Sequence, residues 1–303
     1  MEQSESTEPA PMNQAPGMIY PSQDTQDASA SCPTCGGDAA SMPLSPVYAL
    51  GRIEPRIPRL SVEKELAQAA GRADTAGKTD PQVFGEVLSR PENRYLVRQM
   101  CWVFTNRGLE TYILQPRVAE DFSLLVGAIR QTPGPADLDV VVGMRGPLAP
   151  PEMCNGLVVP MVVFDQIYSF DREALIKAIP RPKEVTAAAF GPAAEQVFDR
   201  IMQMTDNAGA TDEHRALNYL VMRYPAIYAK AAEEFARDFS LSGVEVRPSP
   251  LGGTRRLVDC VFGYTNRNTD FTEKFLVRVD VTEEFPFLVT KLSPYYDLNL
   301  SNR

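Results

Sequence analysis

The sequence predicts an α+β protein: mixed and antiparallel sheets with packed helices, in two related subdomains behind a disordered acidic N-terminal tail. Three observations carry this prediction. Apolar runs of strand length alternate irregularly with helical stretches, so no regular strand–helix–strand repeat emerges. The end of the chain, from about residue 244, reads as consecutive strands, as in an antiparallel meander. The first 45 residues differ in composition from everything after them.

That tail holds Glu2, Glu5, Glu8, Asp24, Asp27 and Asp38, and no basic residue precedes Arg52. It is rich in Ser, Pro, Gln and Ala and too poor in apolar groups to offset the entropy of ordering. Residues 1–30 are therefore predicted to be disordered. Residues 31–185 form a first subdomain and 186–303 a second, the join falling near 182–210.

From Val47 the pattern becomes globular. Ser61-Val-Glu-Lys-Glu-Leu66 opens a short helix with acidic residues in its first turn, where the helix dipole favours them. Asp80-Pro81 reads as an N-cap followed by proline. Residues 95–104 and 109–115 read as strands flanking Thr105-Asn-Arg-Gly108, a hairpin connection. A helix follows over 118–130, then apolar strands at 139–142 and 157–164. Asp171 caps a helix that runs to Ile179 and stops at Pro180-Arg-Pro182. Helices over 193–206 and 212–239, the latter interrupted at Pro225, open the second half. Strands near 244–247, 256–264, 272–281 and 285–291 close it. Cys101-Trp-Val-Phe-Thr-Asn-Arg107 and Cys260-Val-Phe-Gly-Tyr-Thr-Asn-Arg267 echo each other, each placing a cysteine on a strand before a Thr-Asn-Arg turn.

Composition narrows the function. The 303 residues carry 30 basic and 39 acidic side chains, a formal charge of -9, which disfavours nucleic-acid binding. No apolar run has the length of a membrane span, and the polar N-terminus does not read as a secretory signal. The expectation is a cytoplasmic protein without nucleic-acid or membrane partners. Five cysteines, an odd number, point to a reducing compartment and to metal or core roles.

Cys32-Pro-Thr-Cys35-Gly-Gly37 is the clearest site motif. Two intervening residues let both sulfurs face one tetrahedral ion, and the glycines permit the tight turn. A closed zinc site takes about four ligands, and His214 is the one histidine available. Cys154 sits in the turn-rich Pro150-Pro-Glu-Met-Cys-Asn-Gly156, and Cys101 lies beside Trp102. Cys260 shares a strand face with Val258 and Phe262, as a core thiol does. The predicted metal ligands are Cys32, Cys35, Cys101 and Cys154 around a structural zinc, with Cys260 the alternative to Cys101. A redox pair at Cys32 and Cys35 is the weaker reading, because the motif follows a tail rather than a strand entering a helix.

Other constellations carry less. His214, in Thr211-Asp-Glu-His-Arg215, reads as a solvated residue near a helix start, and a Cys154–His214 catalytic pair has no local support. Phosphate-binding glycine loops are absent. Val142-Gly-Met-Arg145-Gly-Pro147 reads as a strand-ending turn. Asp165 and the run Asp280-Val-Thr-Glu283-Glu284 are carboxylates near strands without a matched partner, so no acid–base pair follows from the sequence.

Several segments together identify a family resemblance. Val47-Tyr-Ala-Leu-Gly-Arg-Ile-Glu-Pro-Arg56, Ser89-Arg-Pro-Glu-Asn-Arg-Tyr95, Gly108-Leu-Glu-Thr-Tyr-Ile-Leu114, Ala149-Pro-Pro-Glu-Met-Cys-Asn-Gly156, Asn218-Tyr-Leu-Val-Met-Arg-Tyr-Pro-Ala-Ile-Tyr228 and Phe285-Pro-Phe-Leu-Val-Thr-Lys-Leu-Ser-Pro-Tyr-Tyr-Asp297 closely resemble the C-terminal domain of unknown function of PatG-type cyanobactin maturation proteases. The likeness runs from about Cys32 to Asp297 and does not include the subtilisin-like protease domain. It implies a homodimer with bound zinc and no protease activity, and it places Cys32, Cys35, Cys101 and Cys154 at family cysteine positions. The expected function is a non-catalytic, zinc-stabilised accessory or scaffold module in the maturation of ribosomally synthesised peptides, binding a precursor peptide or a peptide-modifying enzyme. The alternative is a cysteine- or zinc-dependent peptide-processing enzyme.

Overall fold

The first strand, β1 (Ser45–Arg56), carries a near-continuous apolar run because both of its faces are buried. Val47 and Ala49 pack in one core with helices from the first half, while Tyr48 and Leu50 pack in another with helices from the second half. This computed structural model describes residues 43–71, 77–181, 185–204 and 206–296. The predicted disordered segment 1–30 and the Cys32–Cys35 motif lie outside the described residues.

β1 closes a five-stranded barrel with β2 (Cys101–Asn106), β3 (Leu109–Pro116), β4 (Asp137–Leu148) and β5 (Pro160–Asp171), in the order β1-β2-β3-β5-β4. All its pairs are antiparallel except β3 with β5. β4 repeats the logic of β1: Val141 joins the first core, and Val140 and Val142 the second. Helices α1 (Leu60–Ala70), α2 (Asp80–Leu88), α3 (Arg94–Gln99) and α4 (Phe122–Gly127) contribute to the first core, and α5 (Arg172–Ala178) follows β5.

The second half is an antiparallel meander of β6 (Phe239–Pro248), β7 (Leu257–Asn266), β8 (Thr272–Asp280) and β9 (Phe287–Tyr295). Alternate residues Val258, Cys260, Phe262 and Tyr264 of β7 face the second core, with Phe275, Val277 and Val279 of β8. Helices α6 (Ala187–Met202), α7 (Asp212–Arg223) and α8 (Ala226–Ala236) fill the same core. The architecture is α+β as predicted. The two Thr-Asn-Arg hairpins sit in different settings, one in the closed barrel and one in the open meander.

α7 ties barrel and meander together. Asn218, fully buried, donates to the Tyr48 carbonyl at 2.8 Å and exchanges hydrogen bonds with Asn207. The loop before α7 lies against β1, where Tyr48 N–H donates to Gly209 O at 2.9 Å. A Cβ at Gly209 would sit 2.3 Å from the Tyr48 carbonyl oxygen, and its φ is +72°, so only glycine fits. On the other side of α7, the buried Arg215 guanidinium donates to the carbonyls of Val281, Glu283 and Glu284, pinning the β8–β9 loop.

Four local expectations change. Residues 94–99 are helix rather than strand, because Leu96, Val97 and Met100 bury one helical face. Thr79, not Asp80, is the N-cap of α2; its N–H donates to the Gln82 side chain at 2.9 Å, and Asp80 and Pro81 open the helix. The 118–130 segment yields only a 3-10 turn and the six-residue α4. Val142–Pro147 runs within β4 rather than ending it, and the register shift at Val142/Gly143 lets Gly143 pass the Val163 carbonyl closely.

Candidate metal centre and a carboxyl pair

Of the four predicted zinc ligands, the structure describes two and brings them together. Cys101 begins β2, and Cys154 lies in the turn between β4 and β5; they are joined as a disulfide with Cα atoms 5.7 Å apart. Sequence separation hides the pairing, since 53 positions divide them. The turn is built to present Cys154. Gly156 N–H donates to Pro151 O, Leu157 N–H donates to Cys154 O, and Asn155 and Gly156 both take positive φ.

Both sulfurs are buried against Val103, Ile113 and Ala149, so a charged thiolate there needs a compensating cation or a bonded partner. Beside Cys154 a cavity of about 340 Å³ opens, lined by Arg56, Ile57, Glu110, Asn155 and Leu157. Arg56 and Glu110 are ion-paired at its edge, and Arg56 also reaches Glu54. Among the described residues no cluster of three or more His, Cys, Asp or Glu side chains is placed to hold a metal.

Cys260 is fully buried on β7, and burial drives its thiol well above its ordinary range. His214 occupies the first turn of α7, where its N–H donates to the Thr211 hydroxyl at 3.2 Å. Burial lowers its pKa, with Glu213 and Asp206 opposing.

The structure also assembles a pair that sequence reasoning left apart. Asp165 on β5 and Glu284 on the β8–β9 loop meet, with Arg117 ion-paired to Asp165 and 3.8 Å from Glu284 Oε2. Burial raises Glu284, and its hydrogen bond to Asp165 and that group's charge add to the effect, bringing it to about 7. Burial also works against Asp165 ionising, but Arg117 and the hydrogen bond with Glu284 outweigh it and hold Asp165 below the usual carboxylate range. The two carboxyls thus share a proton near neutrality. No local motif could have revealed this, because Arg215 and Arg256 on distant elements place the loop.

The comparisons with known proteins agree with the resemblance read from the sequence. Residues 184–295 match the family described as PatG C-terminal. A solved structure described as "PatG Domain of Unknown Function" matches with a TM-score of 0.66 at 20% identity, covering 83% of this chain and 98% of that one. At that identity the shared property is the fold. No curated protein matches. The chain thus carries a PatG C-terminal-like domain. Among the described residues, no helix is long and apolar enough to cross a membrane.

Proposed function

We propose that this PatG C-terminal-like chain is a non-catalytic accessory module of peptide maturation, a cytoplasmic homodimer stabilised by zinc, which binds a precursor peptide or a peptide-modifying enzyme. The observation that carries the reading is the convergence of Cys101 and Cys154 beside an open cavity, in a chain that also holds Cys32-Pro-Thr-Cys35. Two buried cysteines at this separation suit a shared metal as well as a disulfide. With the Cys101–Cys154 bond reduced, Cys32, Cys35, Cys101 and Cys154 would hold the ion. Four thiolates close a zinc site, so the metal would supply folding energy rather than an open position for substrate.

The 150–156 turn aims Cys154 at the start of β2, and the apolar surroundings exclude water from both sulfurs. The competing reading, a cysteine-dependent processing enzyme, needs Cys154 open to a peptide, whereas it is 4% exposed. Coexpression with a precursor peptide or modifying enzyme encoded beside this gene, followed by pull-down, tests the proposal. Retention of either partner supports it, and absence of binding to all of them removes it. Should Cys154→Ser keep zinc yet abolish peptide processing, the enzyme reading would replace it.

A further inference from the structure

β9 breaks the pattern of the sheet it closes. Where one face of an antiparallel sheet covers a core, residues on the other face are expected to be polar. Along β9 the odd-numbered residues face away from the core: Phe287 is 46% exposed and Val289 38%, followed by Lys291 and Ser293, while Leu288 and Leu292 pack inward. Phe285, just before the strand, is 44% exposed. β1 shows what a strand apolar on both sides implies in this protein, because both of its faces are covered.

The backbone of β9 is open on one side. The strand stands last in the order β6-β7-β8-β9 and, among the described residues, pairs only with β8. The open stretch is short. Leu292 N–H already donates to the Tyr224 hydroxyl at 2.9 Å, and Pro294 has no N–H to give, so the edge that can be paired ends at Lys291. Arg255 holds the Phe287 ring in place: its guanidinium lies 5.6 Å from the ring centroid, and its Nε donates to buried Asp280 at 2.6 Å.

Size and charge select the occupant. Phe285, Phe287 and Val289 together offer roughly 250 Å² of exposed apolar surface. A stable protein–protein interface needs about 800 Å² per partner, so the strip is too small to hold a second copy. Lys291 and Pro294 are moreover the kinds of residue by which sheet edges resist pairing with another copy. Two or three side chains of an extended peptide match the strip. Arg255 is spent on Asp280 and Arg278 on Asp259, whereas Lys291 is exposed and has no carboxylate partner among the described residues. Glu283, exposed at the opposite end, repels a carboxylate there.

We propose that β9 pairs along its open edge with an extended segment of a bound peptide, whose apolar side chains lie beside Phe287 and Val289 and whose carboxylate meets Lys291. The assignment rests on the peptide-binding reading above and gives it a location. The probe is the peptide Val-Thr-Val-Thr-Glu, amidated at its C-terminus and labelled at its N-terminus with a neutral fluorophore, titrated into the full chain and followed by anisotropy. Saturable binding is expected, and the same peptide ending in Lys should bind at least about fivefold more weakly. Lys291→Glu should reverse that preference. Val289→Asp, which sets a charge among the apolar side chains, should abolish binding; Lys291→Glu, at an exposed position, keeps the test valid if Val289→Asp fails to fold. Main-chain pairing has its own signature, because alternate N–H groups of the peptide point at β9. Of two peptides N-methylated on alternate residues, one for each set of nitrogens, one should therefore lose binding. No saturable binding, an unaltered preference in Lys291→Glu, or full binding by both methylated peptides overturns the inference. So does conversion of a dimer to a monomer by Val289→Asp in native mass, which would assign the strip to a second copy. If the precursor peptide is retained in pull-down and both variants leave that retention unchanged, the β9 assignment falls and the accessory reading stands. If the probe binds and Lys291→Glu reverses its preference while no precursor or enzyme is retained, the β9 assignment stands and the accessory reading falls.

Discussion

Replacing Glu284 by glutamine should change stability in a way that depends on pH. In the folded protein Glu284 is raised to about 7, from an ordinary 4.5, by burial and by the neighbouring Asp165. The sign follows from proton binding: between these values the folded state holds a proton that the unfolded state has released. The contribution of Glu284 is therefore fully present below about pH 4.5 and is lost as pH rises through about 7. A shift of this size corresponds to at most about 3 kcal/mol, and partial exposure with solvent screening reduces it to about 1–2 kcal/mol. Asp165 acts oppositely, its depressed pKa supporting the fold above the ordinary carboxylate range and failing only in acid. Glu284→Gln mimics the protonated carboxyl, since its amide can donate to Asp165 at every pH. Urea melts of both proteins at pH 4 and pH 8 should coincide at pH 4. At pH 8 the variant should be more stable by about 1–2 kcal/mol. A difference that is the same at both pH values would refute the shared-proton account.

Other perturbations test the joints of the fold. Asn218→Leu leaves the Tyr48 carbonyl and Asn207 without their buried partner and should cost about 2–3 kcal/mol in chemical denaturation; a loss below about 0.5 kcal/mol would show that the link between α7 and β1 is not structural. Gly209→Ala forces a Cβ against the Tyr48 carbonyl at positive φ and should lower stability by at least about 2 kcal/mol, read as a fall in Tm, whereas an unchanged Tm would mean the loop departs from β1 at no cost. In the oxidised, metal-free chain, reducing the Cys101–Cys154 bond under chelation opens a loop spanning 53 positions and should cost about 4 kcal/mol by loop entropy; identical urea midpoints with and without reductant would remove the constraint.

Much of the fold is legible in the sequence because burial writes itself into periodicity. β7 and β8 are read nearly in place, since both alternate core residues with residues on the other face. β1 escapes notice as a strand because both its faces are apolar, which erases the period-two signal. Tyr95–Met100 misleads for the opposite reason: a short apolar run satisfies strand and helix patterns alike, and only its contacts decide. The candidate site divides in the same way. The turn chemistry of Pro150–Gly156 marks Cys154 as a presented residue, but nothing local joins it to Cys101. Nor does any local pattern join Asp165 to Glu284, because both pairs are products of topology.

The proposed site holds zinc on four thiolates once the Cys101–Cys154 bond is reduced. The direct measurement is zinc content per chain, with native mass, for wild type purified under reducing conditions and for the Cys32→Ser/Cys35→Ser and Cys101→Ser/Cys154→Ser proteins. The account predicts one zinc per chain in a dimeric wild type, and loss of the metal in both double variants together with a lower Tm. A metal-free wild type, or full zinc retention when either pair is replaced, would contradict it.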